Sequence, residues 1–209
     1  MEPKEFIPEQ LISQHTDTVE ERSFANENEA MAFYKVAKKR VIEVNRWHGV
    51  SKMETSTFQL FDSLGNRVDR GVMINDFILI DIPSPGTKIG SGDDYVKAEQ
   101  IEEISNDIND VFFYMRFRPS APPGKPRIKT AHFFKADATS TFIVTLKGKT
   151  VSAEIHGRNE IPNIGADKLI DKARNTIIAT TSFLGLSVLQ WICWLKVFSA
   201  KSLLATYNV

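Results

Sequence analysis

The chain has 209 residues, 42% hydrophobic and 25% charged, with Lys plus Arg and Asp plus Glu balanced at 26 each. Such a composition excludes wholesale disorder, the length allows a full core without staples, and zero net charge argues against a protein built to neutralise nucleic-acid phosphates. The single cysteine, Cys193, excludes an intrachain disulfide, and the acidic N-terminus has no apolar run, so a reducing, cytoplasmic setting is expected.

Residues 1–25 are polar apart from Phe6, Ile7, Leu11 and Ile12. They read as an N-terminal arm that docks loosely or frays, with Pro8 in the first turn of a short helix. Residues 26–209 read as a single α+β domain. Its first element opens at Asn26, with Glu29 three places on in a capping-box pattern. Ala30, Phe33, Ala37, Val41 and Val44 then recur at helical spacing, and Gly49 is a natural stop. Lys35, Lys38 and Lys39 fall mainly elsewhere on the wheel, as on a solvated face.

From residue 56 to 157 the pattern is that of strands. "TFQLFDSLGNRVDR" predicts a hairpin turning at Gly65-Asn66. "DFILIDIP" predicts a strand covered on both faces and stopped by Pro83. "DDYVKAEQIEEISNDIND" has apolar spacings that fit a helix or a strand; strands on both sides tip it to strand. "VFFYMRFRP" reads as another strand. "STFIVTLKGKTVSAEIHG" predicts a hairpin with Phe142, Val144 and Leu146 on one face, returning with Val151, Ala153 and Ile155. From Asp167 to Leu204 a long helix is predicted; its segment 176–195 carries no charge. That segment suits either a buried helix laid on the sheet or a membrane contact. A stripe of Thr180, Ser187 and Gln190, with Trp191 beside it, would line a cavity against the sheet.

The expected fold is thus α+β: a bent antiparallel sheet of six to eight strands, an N-terminal helix and a long apolar C-terminal helix packed on the sheet. This order is similar to the helix-grip arrangement of START-like ligand-binding domains. That resemblance rests on element order alone, and such domains usually begin with a strand, whereas the first element predicted here is a helix.

Three stretches carry candidate chemistry. "HGRNEIPN" gathers His156, Arg158, Asn159 and Glu160 at the end of the last strand. His156 shares the face of Ser152 and Glu154, away from the core unless both faces are covered. One reading pairs Arg158 with Glu160 and gives the asparagines to turn backbone. The other makes the four residues the polar rim of a pocket, with Arg158 on an anionic group. "PSPGTKIGSGDD" lacks phosphate-loop and dinucleotide fingerprints, so Gly86, Gly90 and Gly92 suit a mobile loop or a lid. "RFRPSAPPGKPRIK", residues 116–129, has five basic residues and no acidic one, and suits a stiff loop or a partner contact.

No G-x-S-x-G is present, Cys193 sits in the apolar segment, and the four histidines lack metal-ligand spacing. No metal and no cofactor are expected. The expected function is non-catalytic binding of an apolar or amphipathic small molecule between the sheet and the last helix. Two alternatives stand beside it. One is an assembly protein that uses residues 176–195 against a membrane, a partner or a second copy in a homo-oligomer, together with the 116–129 loop. The other is an enzyme with His156 and Glu160 as an acid–base pair.

Overall fold

The computed structural model describes residues 1–47, 57–81, 94–124 and 134–161. They form β1 (Gln14–Ser23), α1 (Glu27–Ile42), β2 (Thr57–Phe61), β3 (Phe77–Asp81), β4 (Asp94–Asp107), β5 (Asp110–Pro119), β6 (Thr139–Lys147) and β7 (Thr150–Glu160). All seven strands join one antiparallel sheet in the order β1-β7-β6-β5-β4-β3-β2. The helix expected over 167–204, with Thr180, Ser187, Gln190 and Trp191, lies outside the described residues, as do Gly86, Gly90 and Gly92. No helix among the described residues is long and apolar enough to cross a membrane.

The N-terminal segment departs from the expected arm. Gln14–Ser23 is a full strand at the sheet edge, paired with β7 from Gln14↔Glu160 to Ser23↔Thr150. The described chain therefore starts its main elements with a strand before the helix. Ahead of β1, Pro3–Phe6 forms a 3₁₀ turn with Pro3, not Pro8, in its first turn. Phe6 stacks 4.6 Å from Tyr114 and 5.4 Å from Phe112. With Ile7 and Ile104 it covers Phe112, Tyr114 and Ile143, a small apolar cluster on the outer face of the sheet.

Helix α1 covers the inner face. Asn26 caps it, its Oδ1 accepting from Glu29 N at 3.0 Å. Ala30, Phe33, Tyr34, Ala37 and Val41 bury into one core with the inner residues of β5, β6 and β7. The helix ends at Ile42, short of the predicted Gly49, because Asn45 is needed elsewhere. Its Oδ1 accepts from Leu60 N and its Nδ2 donates to Val68 O, both at 2.7 Å, which ties the following 3₁₀ turn to β2. Trp47 fills the space beyond, 5.2 Å from Phe58 and 5.5 Å from Phe142. Much of the cover that the sequence reading gave to the last helix is therefore supplied by α1 and Trp47.

The β6–β7 hairpin follows the predicted alternation, with Phe142↔Ile155, Val144↔Ala153 and Leu146↔Val151 on the inner face. The ambiguous 95–108 stretch is strand β4, bulged at Ala98/Gln100 and Ser105/Asp107. Two expectations change. The return of the first hairpin shrinks to one bridge, Phe61↔Arg67, because the chain swings away to let Val72 N donate to Ile42 O at 3.0 Å. Strand β3 buries Ile78 and Ile80, while Phe77 and Leu79 are only half-buried, so one face of it is partly open.

Candidate ligand-binding site

The residues of the "HGRNEIPN" stretch end up in the seam between β7 and β1. Asp17 lies opposite His156 in the register, on the outer face. His156 is 4% exposed. Its Nδ1 is 2.5 Å from Asp17 Oδ1 and its Nε2 is 3.1 Å from Glu154 Oε2, an arrangement that the doubly protonated ring satisfies at both ends. Arg158 Nη1 sits 2.7 Å from the same Asp17 oxygen and donates to Gly157 O. Burial pushes Asp17 up, yet the hydrogen bonds and charges of His156 and Arg158 outweigh it and hold the carboxyl below its ordinary value. In Glu154 the His156 hydrogen bond dominates burial and again lowers the carboxyl.

Asn159 and Glu160 lie past a register slip, where Gln14 faces Glu160 but Thr16 faces Gly157. The extra residue puts Asn159 at φ +55° and turns Glu160 to the inner side of the sheet. Glu160 Oε1 lies 2.4 Å from where a side chain on Gly157 would begin, so the carboxylate occupies the space that the glycine leaves open. Thr16 Oγ1 donates to Glu160 Oε2 at 2.8 Å, and burial raises this carboxyl above its ordinary value. Asn159 Oδ1 accepts from Leu11 N and Ile12 N at 2.9 and 3.1 Å, and its Nδ2 donates to Glu9 O. The four residues thus share one seam. His156 spends its nitrogens on Asp17 and Glu154, Glu160 takes a hydrogen bond from Thr16, and Arg158 pairs with Asp17 rather than Glu160. The basic stretch at 116–129 is likewise tied down at its start: Arg116 donates to Gln100 Oε1, and Arg118 Nε donates to Glu99 Oε1 at 2.5 Å. Residues 125–129 lie outside the described residues.

A concave feature of the described structure lies elsewhere. An open groove of about 730 Å³ runs between α1 and the inner edge of β4 and β5. Met31, Ile42 and Val111 give it an apolar floor; Lys35, Lys38, Lys39, Glu43 and Glu103 give it a charged rim. Gly71 also lines it, packed so near Ile42 that a Cβ would come within 2.4 Å of Ile42 Cγ2.

Sequence produces this groove by a simple device. Positions 30, 33, 37 and 41 of α1 point into the core, and positions 31, 34, 35, 38, 39 and 42 form the adjoining stripe. Tyr34 and Lys38 from that stripe meet Glu103 of β4. Tyr34 Oη donates to Glu103 Oε1 at 2.7 Å and Lys38 Nζ to Oε2 at 2.5 Å. Burial pushes Glu103 up, but these two donors prevail and keep it below its ordinary value. Burial and the facing carboxylate push the Tyr34 phenol well above its ordinary range, so it stays a neutral donor.

No protein-family model and no curated protein matches the sequence. Among solved structures, the chain is similar to Ara h 8.0201 at 8% identity, over 90% of this chain and 100% of that one, with a TM-score of 0.35. Its similarity to ginseng major latex-like protein 151 from Panax ginseng is at 11% identity, over 87% and 95%, with a TM-score of 0.35. Norcoclaurine synthase from Thalictrum flavum, solved in complex with dopamine and hydroxybenzaldehyde, is similar at 10% identity, over 93% and 99%, with a TM-score of 0.33. Likenesses this distant transfer no function.

The described lining of the groove contains no histidine or cysteine. The Lys38 ammonium is engaged by a carboxylate, and Tyr34 keeps its proton. No group of three or more His, Cys, Asp or Glu among the described residues is arranged to hold a metal. Sequence reasoning assigned Lys35, Lys38 and Lys39 to solvent; the signal that would have found the groove is the flanking of these lysines by Met31 and Ile42 on the same stripe.

Proposed function

We propose that this chain binds an apolar or amphipathic small molecule, without transforming it, in the groove between α1 and β4–β5. The observation that carries this reading is the combination of an apolar floor, a polar rim and a volume of about 730 Å³. Small-molecule sites span roughly 300–1,000 Å³ and have this mixed lining. The cavity expected beside residues 176–195 lies outside the described residues, and the reading does not depend on it. In this reading His156, Arg158, Asn159 and Glu160 hold β1 and the N-terminal segment through their partners Asp17, Glu154, Leu11, Ile12 and Thr16.

The test is titration of the neutral fluorophore N-phenyl-1-naphthylamine, with Met31→Trp as the blocking variant. Met31 is half-buried at the groove, so an indole there fills it without entering the deep core. The expected result is saturable fluorescence enhancement in the parent protein and its loss in Met31→Trp, with cooperative thermal unfolding kept in both. Equal affinity in the two proteins would overturn the reading.

A further inference from the structure

We infer that the occupant of this groove is a single-chain amphiphile with one anionic head, of the carboxylate or sulfate class, whose head lies at Lys35 and whose tail lies along Met31, Ile42 and Val111. The inference rests on the binding reading above and adds the sign of the ligand's charge and its orientation.

The argument is a census of charge around the groove. Helix α1 contributes Lys35, Lys38 and Lys39, and Glu43 caps its end; β4 contributes Glu103; Val111 of β5 and Gly71 are uncharged. Both carboxylates are already engaged. Glu103 has Lys38 on one oxygen and Tyr34 on the other. Glu43 has Arg46 at 2.9 Å and Lys39 at 3.9 Å on one oxygen. Lys35 is exposed and makes no ion pair or hydrogen bond among the described residues. A cationic head would therefore meet three ammonium groups and no unengaged carboxylate. An anionic head would gain Lys35 without breaking an existing pair, because like-charged neighbours repel and unlike ones attract over this range.

Orientation follows from the helix stripe. Lys35 is one turn from Met31, and Ile42 lies two turns further along the same side. A head at Lys35, on the rim, leaves a tail free to lie over the apolar floor of Met31, Ile42 and Val111. The lysine stems themselves add apolar wall below their ammonium groups.

The experiment displaces N-phenyl-1-naphthylamine with dodecanoate, 1-dodecanol and dodecyltrimethylammonium, each as monomer at low salt. Dodecanoate is expected to compete about fivefold better than dodecanol, the scale of one exposed ion pair, and the cation worse than dodecanol. Added salt should shrink the preference. Lys35→Glu should abolish the dodecanoate advantage over dodecanol, each measured against the variant's own fluorophore affinity. Equal competition by dodecanoate and dodecanol, with the fluorophore still blocked by Met31→Trp, would overturn the anionic-head assignment and spare the groove. A dodecanoate preference that survives Lys35→Glu would overturn the placement of the head. Failure of the neutral fluorophore to bind would remove the binding reading and this inference together. Lys35-dependent sedimentation with phosphatidylglycerol vesicles, without competition by monomeric dodecanoate, would overturn a free amphiphile in favour of a bilayer headgroup.

Discussion

Asp17 and His156 are register partners on β1 and β7, with Asp17 Oδ1 2.5 Å from His156 Nδ1. The pair is the centre of a polar seam: Glu154 meets the other ring nitrogen, and Arg158 meets the same Asp17 oxygen. β1 has no apolar anchor in this region, since Val19 is 49% exposed. Its hold on the sheet comes from the backbone ladder and this seam.

Replacing His156 by Ala is therefore expected to loosen β1. Glu154, which is mostly buried, loses its ring partner, and an unsatisfied buried polar group costs about 1–3 kcal/mol. Urea unfolding should show the loss, and amide exchange should rise in Gln14–Ser23 before it rises in β5 or β6. Equal exchange in β1 before and after the substitution would mean that the ladder alone holds the strand.

The acidic side of the seam predicts a pH dependence. Glu154 is lowered from 4.5 chiefly by the His156 hydrogen bond, against burial. A carboxyl depressed in the fold adds stability above its unfolded value, and that stability is lost as pH falls through the folded value. Glu154→Gln should accordingly be less stable than the parent at neutral pH. The two proteins should converge as pH falls below 4.5, measured as urea midpoints across a pH series. A constant gap down to strong acid would remove ionisation as its source.

How much of this was legible follows from what each element uses to stay in place. In the β6–β7 hairpin Phe142, Val144 and Leu146 recur at every second position on the inner face and announce the strand, although Ile143 is buried on the other side. Both faces of β5 are buried, so "VFFYMRF" is nearly continuous apolar sequence. In contrast, β1 is "QHTDTVEERS", an edge strand fastened by polar pairs, and it carries no hydrophobic period to read. The groove was illegible for another reason. Lys35 and Lys38 look like solvated helix positions until β4, some 65 residues away, brings Glu103 to Lys38. His156 was read correctly as facing away from the main core. What the sequence hid was that Asp17 would arrive there.

Gly71 tests the packing of the groove wall against Ile42. A methyl group at this position would press on Ile42 Cγ2 at 2.4 Å, and Val72 N must still reach Ile42 O. Gly71→Ala is expected to cost about 1–3 kcal/mol through overpacking. Adding Ile42→Ala removes Cγ2 itself, so the double variant should be less destabilised than the sum of the singles. Strict additivity in a thermal-unfolding cycle would show that the two groups do not touch.

Asn159 separates backbone strain from side-chain bonding. It sits at φ +55° and uses its amide to hold Glu9, Leu11 and Ile12. Asn159→Gly keeps the backbone conformation accessible and deletes the amide; Asn159→Ala deletes the amide and adds the left-handed penalty. Both should free the N-terminal segment, seen as faster proteolysis ahead of β1. The Ala variant should be the less stable by about 1 kcal/mol. Equal stability of the two would mean that the bulge relaxes out of the left-handed region.

Glu160 should respond to pH with the sign opposite to that of Glu154. Burial raises it above 4.5; the Thr16 hydrogen bond and the charges of Arg158 and His15 pull it back, and Asp17 adds to the rise. A carboxyl raised in the fold keeps its proton longer than in the unfolded chain, so ionisation at neutral pH opposes folding. Glu160→Gln removes that cost and still offers Thr16 Oγ1 an acceptor. It is expected to be more stable than the parent at neutral pH, with the gain shrinking as pH falls toward 4.5 and vanishing below it. Urea midpoints for the parent, Glu160→Gln and Thr16→Val across that range decide the matter. A Glu160→Gln protein less stable than the parent at neutral pH would mean that the carboxylate is ionised in the fold and anchors the β1–β7 seam as an anion.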